Sequence, residues 1–80
     1  MKNDVTAAAE RLDYIFNRAA PWCLVDSMSI LHVMEHSDNR EVRERLLSAI
    51  RVPRKNTPII GLRDTLNDMY RRLKESLKEE

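Results

Sequence analysis

The sequence lacks the residues that sheets and disulfide-rich folds require. It contains one glycine in 80 residues and no Asn-Gly or Asp-Gly pair, although tight β-hairpin turns depend on such residues. Cys23 is the only cysteine, which excludes a disulfide bond within the chain. A lone thiol between Trp22 and Leu24 is interpreted as a small buried hydrophobe. The absence of cysteine pairs fits a reducing compartment.

The chain also lacks an excess of one charge and a long hydrophobic run. Lys and Arg number 14 against 13 Asp and Glu, for a net charge of +1, which is not typical of strongly basic nucleic-acid-binding domains. The most apolar stretch, residues 22–34, contains polar residues and is too short to cross a bilayer. The first twelve residues are charged and alanine-rich, which predicts no secretory signal. We therefore expect a cytoplasmic protein without membrane contact.

Apolar residues recurring at helical spacing predict an all-α fold in one domain over residues 1–80. Asn3 or Asp4 is expected to cap the first helix, and Asp38 with Glu41 matches the spacing of a capping box for the third. The second helix is apolar almost all round, which predicts a central position. The sequence thus predicts a small bundle of three to four helices with a long C-terminal helix. The predicted helices span about residues 4–19, 22–36, 39–51 and 58–78, with a proline-containing loop at 52–57.

The last predicted helix carries an apolar stripe with heptad spacing. A helix of this length spans about 30 Å, which is about the diameter of so small a domain. The helix must therefore either lie across the whole body or project beyond it, and we expect a second copy of the chain to cover the stripe in its distal third. The alternative is that the first helix covers it. The predicted function is a non-enzymatic protein-binding adaptor, inhibitor or regulator that forms a homodimer. The predicted partner-binding residues are Ile59, Leu62, Leu66, Met69, Tyr70 and Leu73.

A basic loop precedes this helix and supports a second hypothesis. Arg51, Arg54 and Lys55 are predicted either to form a polar rim around the protein-binding surface or to contact phosphates in a nucleic-acid-binding regulator. No aromatic residue is interleaved with them for base stacking. Nucleic-acid binding is therefore kept as the alternative to protein binding.

A short histidine motif supports a third hypothesis. His32, Glu35 and His36 form the string His-x-x-Glu-His that is found in inverted zinc peptidases. Histidines four residues apart lie on one helix face and can share a metal ion, and the glutamate could then act as a general base. Such enzymes also need a third ligand and a substrate cleft, and Cys23 falls on about the opposite helix face. A zinc-dependent hydrolase remains an alternative, while the favoured prediction includes no catalytic residue, metal or cofactor.

Overall fold

A computed structural model describes residues 3–18, 27–57 and 60–78 of the chain. These residues form helices and the turns between them, with no strand among them, which confirms the predicted all-α class. None of the helices in this part of the chain combines the length and the apolarity that a membrane-spanning segment requires. The helices are α1 (Asp4–Asp13), continued by a π-helical segment (Tyr14–Arg18), α2 (Met28–Glu35), α3 (Arg40–Ile50), α4 (Pro53–Asn56) and α5 (Ile60–Lys78).

The first helix begins as predicted and changes its geometry near its end. The side chain of Asn3 accepts a hydrogen bond of 2.8 Å from the backbone N–H of Thr6, which makes Asn3 the N-cap. The carboxylate of Asp4 lies in the first turn, where the helix dipole favours negative charge. The regular α-helix ends at Asp13, and the next five residues form one wider π-helical turn.

The third helix begins one residue later than predicted. Asp38 was expected to be its cap, and this expectation is wrong because the side chain of Asn39 accepts the 3.0 Å hydrogen bond from the backbone N–H of Glu41. The two residue types are about equally good caps, so sequence could not rank these neighbours. The hydroxyl of Ser37 decides between them, because it accepts a hydrogen bond from the backbone N–H of Asn39 and fixes that residue in an extended conformation.

The predicted loop at 52–57 is wrong over Pro53–Asn56, which forms the helical turn α4. Proline at the first position of a helix has no N–H to lose, and its fixed φ suits the turn. The backbone N–H groups of Lys55 and Thr57 close the turn by donating to the carbonyls of Val52 and Pro53, each at 3.0 Å. Residues 58 and 59, where the last helix was predicted to begin, lie outside the described residues.

The centre of the bundle is α3, which contacts α1, α2, α4 and α5. The expectation that the second helix is central is wrong for the part of it that is described. Along α2, Leu31, Met34 and Glu35 are buried, whereas Ser29, His32 and Val33 are exposed. The beginning of the predicted second helix, residues 22–26, lies outside the described residues.

The long helix α5 lies along the body of the protein and does not project from it. Its 19 residues span about 28 Å, and the longest dimension of the protein is 32 Å. Its distal third is held down at two points: Arg40 donates a 3.0 Å hydrogen bond from Nη1 to the carbonyl oxygen of Leu77, and Arg43 donates one of 2.6 Å to the hydroxyl of Ser76. Of the two placements that the length of the helix allowed, the structure has the one in which it lies across the body, since α3 anchors its end.

Candidate functional site

The stripe predicted to bind a partner is part of the chain's own core. Leu62, Leu66, Met69 and Leu73 are between 0% and 5% exposed, and α3 and α4 pack against the helix that carries them. The premise that one chain cannot cover this stripe is wrong. Tyr70 is half-buried and Ile59 lies outside the described residues. The apolar spacing was interpreted correctly as a buried helix face, but the surface that buries it belongs to the same chain.

The three cations of the predicted basic loop are not equivalent. The guanidinium carbon of Arg54 lies 4.1 Å from the centre of the Tyr70 ring, and its Nη1 donates a 2.9 Å hydrogen bond to Asn67. This side chain therefore helps to hold α4 against α5, because a cation over an aromatic face and a hydrogen bond both restrain it. Arg51 and Lys55 are exposed and remain accessible to an anionic partner.

A groove with apolar walls separates the end of the first helix from the end of α3 and from α4. It has a volume of about 730 Å³, within the range of about 300–1,000 Å³ that is usual for binding pockets. Val52 is 61% exposed at its edge, and Phe16 is half-buried. The apolar side chains along the groove are Ala9, Leu12, Ile15, Phe16, Ala49, Val52 and Pro53.

Three of the residues that line this groove come from the π-helical turn: Ile15, Phe16 and Asn17. Such turns are rare and are frequently found at functional sites. Two opposite charges, Asp13 on the first helix and Arg45 on α3, also line the groove, and both residues are exposed. The guanidinium Nε of Arg18 lies 3.6 Å from the carboxylate of Asp13. The groove therefore combines an apolar lining with one charge of each sign.

The histidine motif lies near the C-terminal end of α2. The rings of His32 and His36 are exposed and their centroids are 4.5 Å apart, with an angle of 67° between the planes. Glu35 is buried, and its carboxylate receives two hydrogen bonds from Arg72, of 2.6 Å from Nε and 3.0 Å from Nη2. The side chain of Glu35 is 4% exposed and that of Arg72 is 52% exposed. A carboxylate held in this way is not placed as the free general base that a zinc hydrolase would need.

The ion pair with Glu35 also affects the pKa of Arg72. The hydrogen bond to Glu35 is the largest influence on the pKa of Arg72 and raises it above its ordinary value, and the nearby charges of Glu35 and Asp68 act in the same direction against the effect of desolvation. The guanidinium therefore stays charged at any pH at which the protein is folded. This pair links α2 to α5 across 37 residues of sequence, and no local pattern could have revealed it.

The groove was not predicted from the sequence. The first helix was predicted only by its apolar spacing, and Val52 was assigned to the predicted loop at 52–57. The available signal was an apolar residue, Val52, directly before a proline, because proline is favourable at the first position of a helix. Comparisons with protein-family models, with curated proteins and with solved structures give no match for this chain.

Proposed function

We propose that this protein is a small, non-enzymatic protein-binding module that associates with a second copy of itself through the apolar groove. The single observation that supports this most strongly is the groove of about 730 Å³, along which Val52 is left 61% exposed. Burial of apolar surface contributes about 25 cal/mol for each Å² removed from water. A partner that fills the groove therefore gains its binding energy mainly from the part of the lining that is still accessible, at Phe16, Ala49 and Val52.

The charges along the groove favour a second copy as the occupant. In a twofold dimer the same surface meets itself, so that any residue i which contacts residue j is matched by j contacting i. A surface carrying Asp13 and Arg45 can therefore place each of these charges opposite its counterpart in the other copy. No ion pair or hydrogen bond joins Arg45 to another residue in the described ranges. Its guanidinium is thus available to a carboxylate of the partner.

The proposed contact surface replaces the stripe that the sequence predicted. Burial of Leu66 and Met69 within one chain removes them as contacts, whereas Phe16, Ala49 and Val52 take that place in the proposal. A regulator of this kind would act in the cytoplasm, as composition predicts. Nucleic-acid binding through Arg51 and Lys55 stays a prediction, with strong salt dependence as its test.

The proposal is tested by light-scattering mass measurements over a concentration series. The parent protein is expected to change from monomer to dimer, and Val52→Asp is expected to remain monomeric because it places a charge in the apolar contact. Asp13→Arg and Arg45→Asp should each weaken the dimer, because each variant sets two like charges against one another. The double variant Asp13→Arg/Arg45→Asp should restore the dimer, since the charges are then exchanged.

Glu75→Arg is the matched control for these charge changes, because Glu75 is exposed on α5 and does not line the groove. It should dimerise like the parent. A parent protein that is monomeric at every concentration would overturn the proposal, and would leave another protein as the occupant of the groove. Failure of the double variant to recover would overturn the pairing of Asp13 with Arg45.

A further inference from the structure

The geometry points to a metal-binding site on α2, in which His32, Glu35 and His36 together bind one zinc ion or a similar divalent transition metal. One ligand atom from each residue can be chosen so that all three lie within 4.8 Å of one another. This inference does not depend on the proposed function, because none of the three residues lines the apolar groove. It also differs from the hydrolase hypothesis, since it gives Glu35 the role of ligand and requires no catalysis.

The two imidazole rings provide an accessible pair of nitrogen ligands. They are four residues apart and one helical turn separates them, so both rings point from the same face of α2. Both side chains are exposed, and no hydrogen bond joins either ring to another residue in the described part of the chain. Their nitrogens can therefore turn toward a metal ion without breaking a hydrogen bond, and only the edge-to-face contact between the two rings has to adjust.

Glu35 provides a fixed oxygen ligand beside them. An ionised carboxylate offers about four lone-pair positions, and the two hydrogen bonds from Arg72 occupy two of them. A partner of this kind orients a ligand from outside the coordination sphere. Arg72 thus holds the carboxylate in one position while leaving part of its acceptor capacity available to the ion.

The distances are compatible with zinc after a small movement of the histidines. Zinc binds nitrogen and oxygen ligands at about 2.0–2.1 Å, so tetrahedral ligand atoms stand about 3.3 Å apart. Ligand atoms within 4.8 Å of each other need to approach by at most about 1.5 Å for this geometry. Rotation of the two exposed side chains supplies that movement, and the fixed carboxylate need not shift. Two imidazoles and one carboxylate suit zinc, and water would complete the coordination.

The site is tested by calorimetric titration of the full chain, prepared without a histidine tag, with zinc chloride. The expected result is one zinc ion per chain, bound with a dissociation constant well below the millimolar range. His32→Ala and His36→Ala should each weaken binding about tenfold or more, which is of the order seen when the ligand environment of a bound metal is altered. Both side chains are exposed, so these variants should fold like the parent, as circular dichroism can verify.

Ser29→Ala is the matched control, because Ser29 is exposed on the same helix and is not a ligand in this proposal. It should bind zinc like the parent. Glu35→Gln tests the third ligand and should also weaken binding about tenfold, with folding again checked by circular dichroism. If Glu35→Gln does not fold, cobalt substitution in the parent provides the second measurement, with a tetrahedral cobalt spectrum expected. Dissociation constants of about 1 mM or weaker, or histidine variants that bind like the parent, would overturn the site. A six-coordinate cobalt spectrum would overturn the tetrahedral geometry.

Discussion

Replacing Leu73 by alanine tests whether the distal part of α5 is held by the chain itself. Leu73 is 0% exposed, although it lies in the part of the helix that a second copy of the chain was expected to cover. Truncation of a fully buried leucine costs about 3–5 kcal/mol, because the lost burial is combined with a cavity. A chain of 80 residues is expected to have a total stability of about 4–12 kcal/mol, so the variant should lose a large share of it.

The assay is urea unfolding followed by circular dichroism, at a concentration where light scattering gives the mass of a monomer. If the same proteins are unfolded by heat, a loss of about 3 kcal/mol corresponds to a fall in Tm of about 12–24 °C for a domain of this size. Glu75→Ala, at an exposed position two residues further along α5, should change the stability by less than about 0.5 kcal/mol. If Leu73→Ala destabilised the monomer by no more than this control, the burial of α5 against α3 described above would be refuted.

Two further predictions concern the polar contacts at the helix ends. Arg72→Met should lower the free energy of unfolding by about 1–3 kcal/mol, because it leaves the buried carboxylate of Glu35 without its partner, and the double variant Glu35→Gln/Arg72→Met should recover part of this loss in the same urea assay. A fully stable Arg72→Met protein would show that water can replace the guanidinium. Asn39→Ala should cost about 1 kcal/mol as the loss of an N-cap, whereas Asp38→Ala should stay within about 0.5 kcal/mol. If thermal unfolding showed that Asp38→Ala loses more stability than Asn39→Ala, the cap would be assigned to Asp38.

The fold class could be predicted because it depends on local features. The scarcity of turn residues, together with apolar positions at helical spacing, was sufficient to predict the all-α class and the long last helix. The exact cap was not predictable, because Asp38 and Asn39 have nearly the same preference for that position. The helical turn at Pro53 was missed because this proline was interpreted as preventing regular helix in the loop, although proline is favourable at a first helical position.

The candidate sites depended on contacts that the sequence does not encode locally. The spacing of Leu62 and Leu66 identified a buried face, but it could not show whether α3 or a second chain covers it. The ion pair of Glu35 with Arg72 joins residues far apart in the chain, and it bears on the zinc-hydrolase alternative because it holds the carboxylate that would have acted as general base. Local periodicity therefore located the helices, and tertiary packing decided which of their surfaces remain available.

The contact between Arg40 and the carbonyl oxygen of Leu77 has a practical consequence for attaching a label or a fused domain. It places the end of α5 beside the first turn of α3, whereas the groove is lined by Ala49 at the other end of that helix and by Val52 just beyond it. Arg40 and Ala49 are separated by about 13 Å along the helix axis. A fluorophore joined to the C-terminal end of α5 would therefore lie near the first turn of α3, away from the groove. It would report on association without occupying the groove.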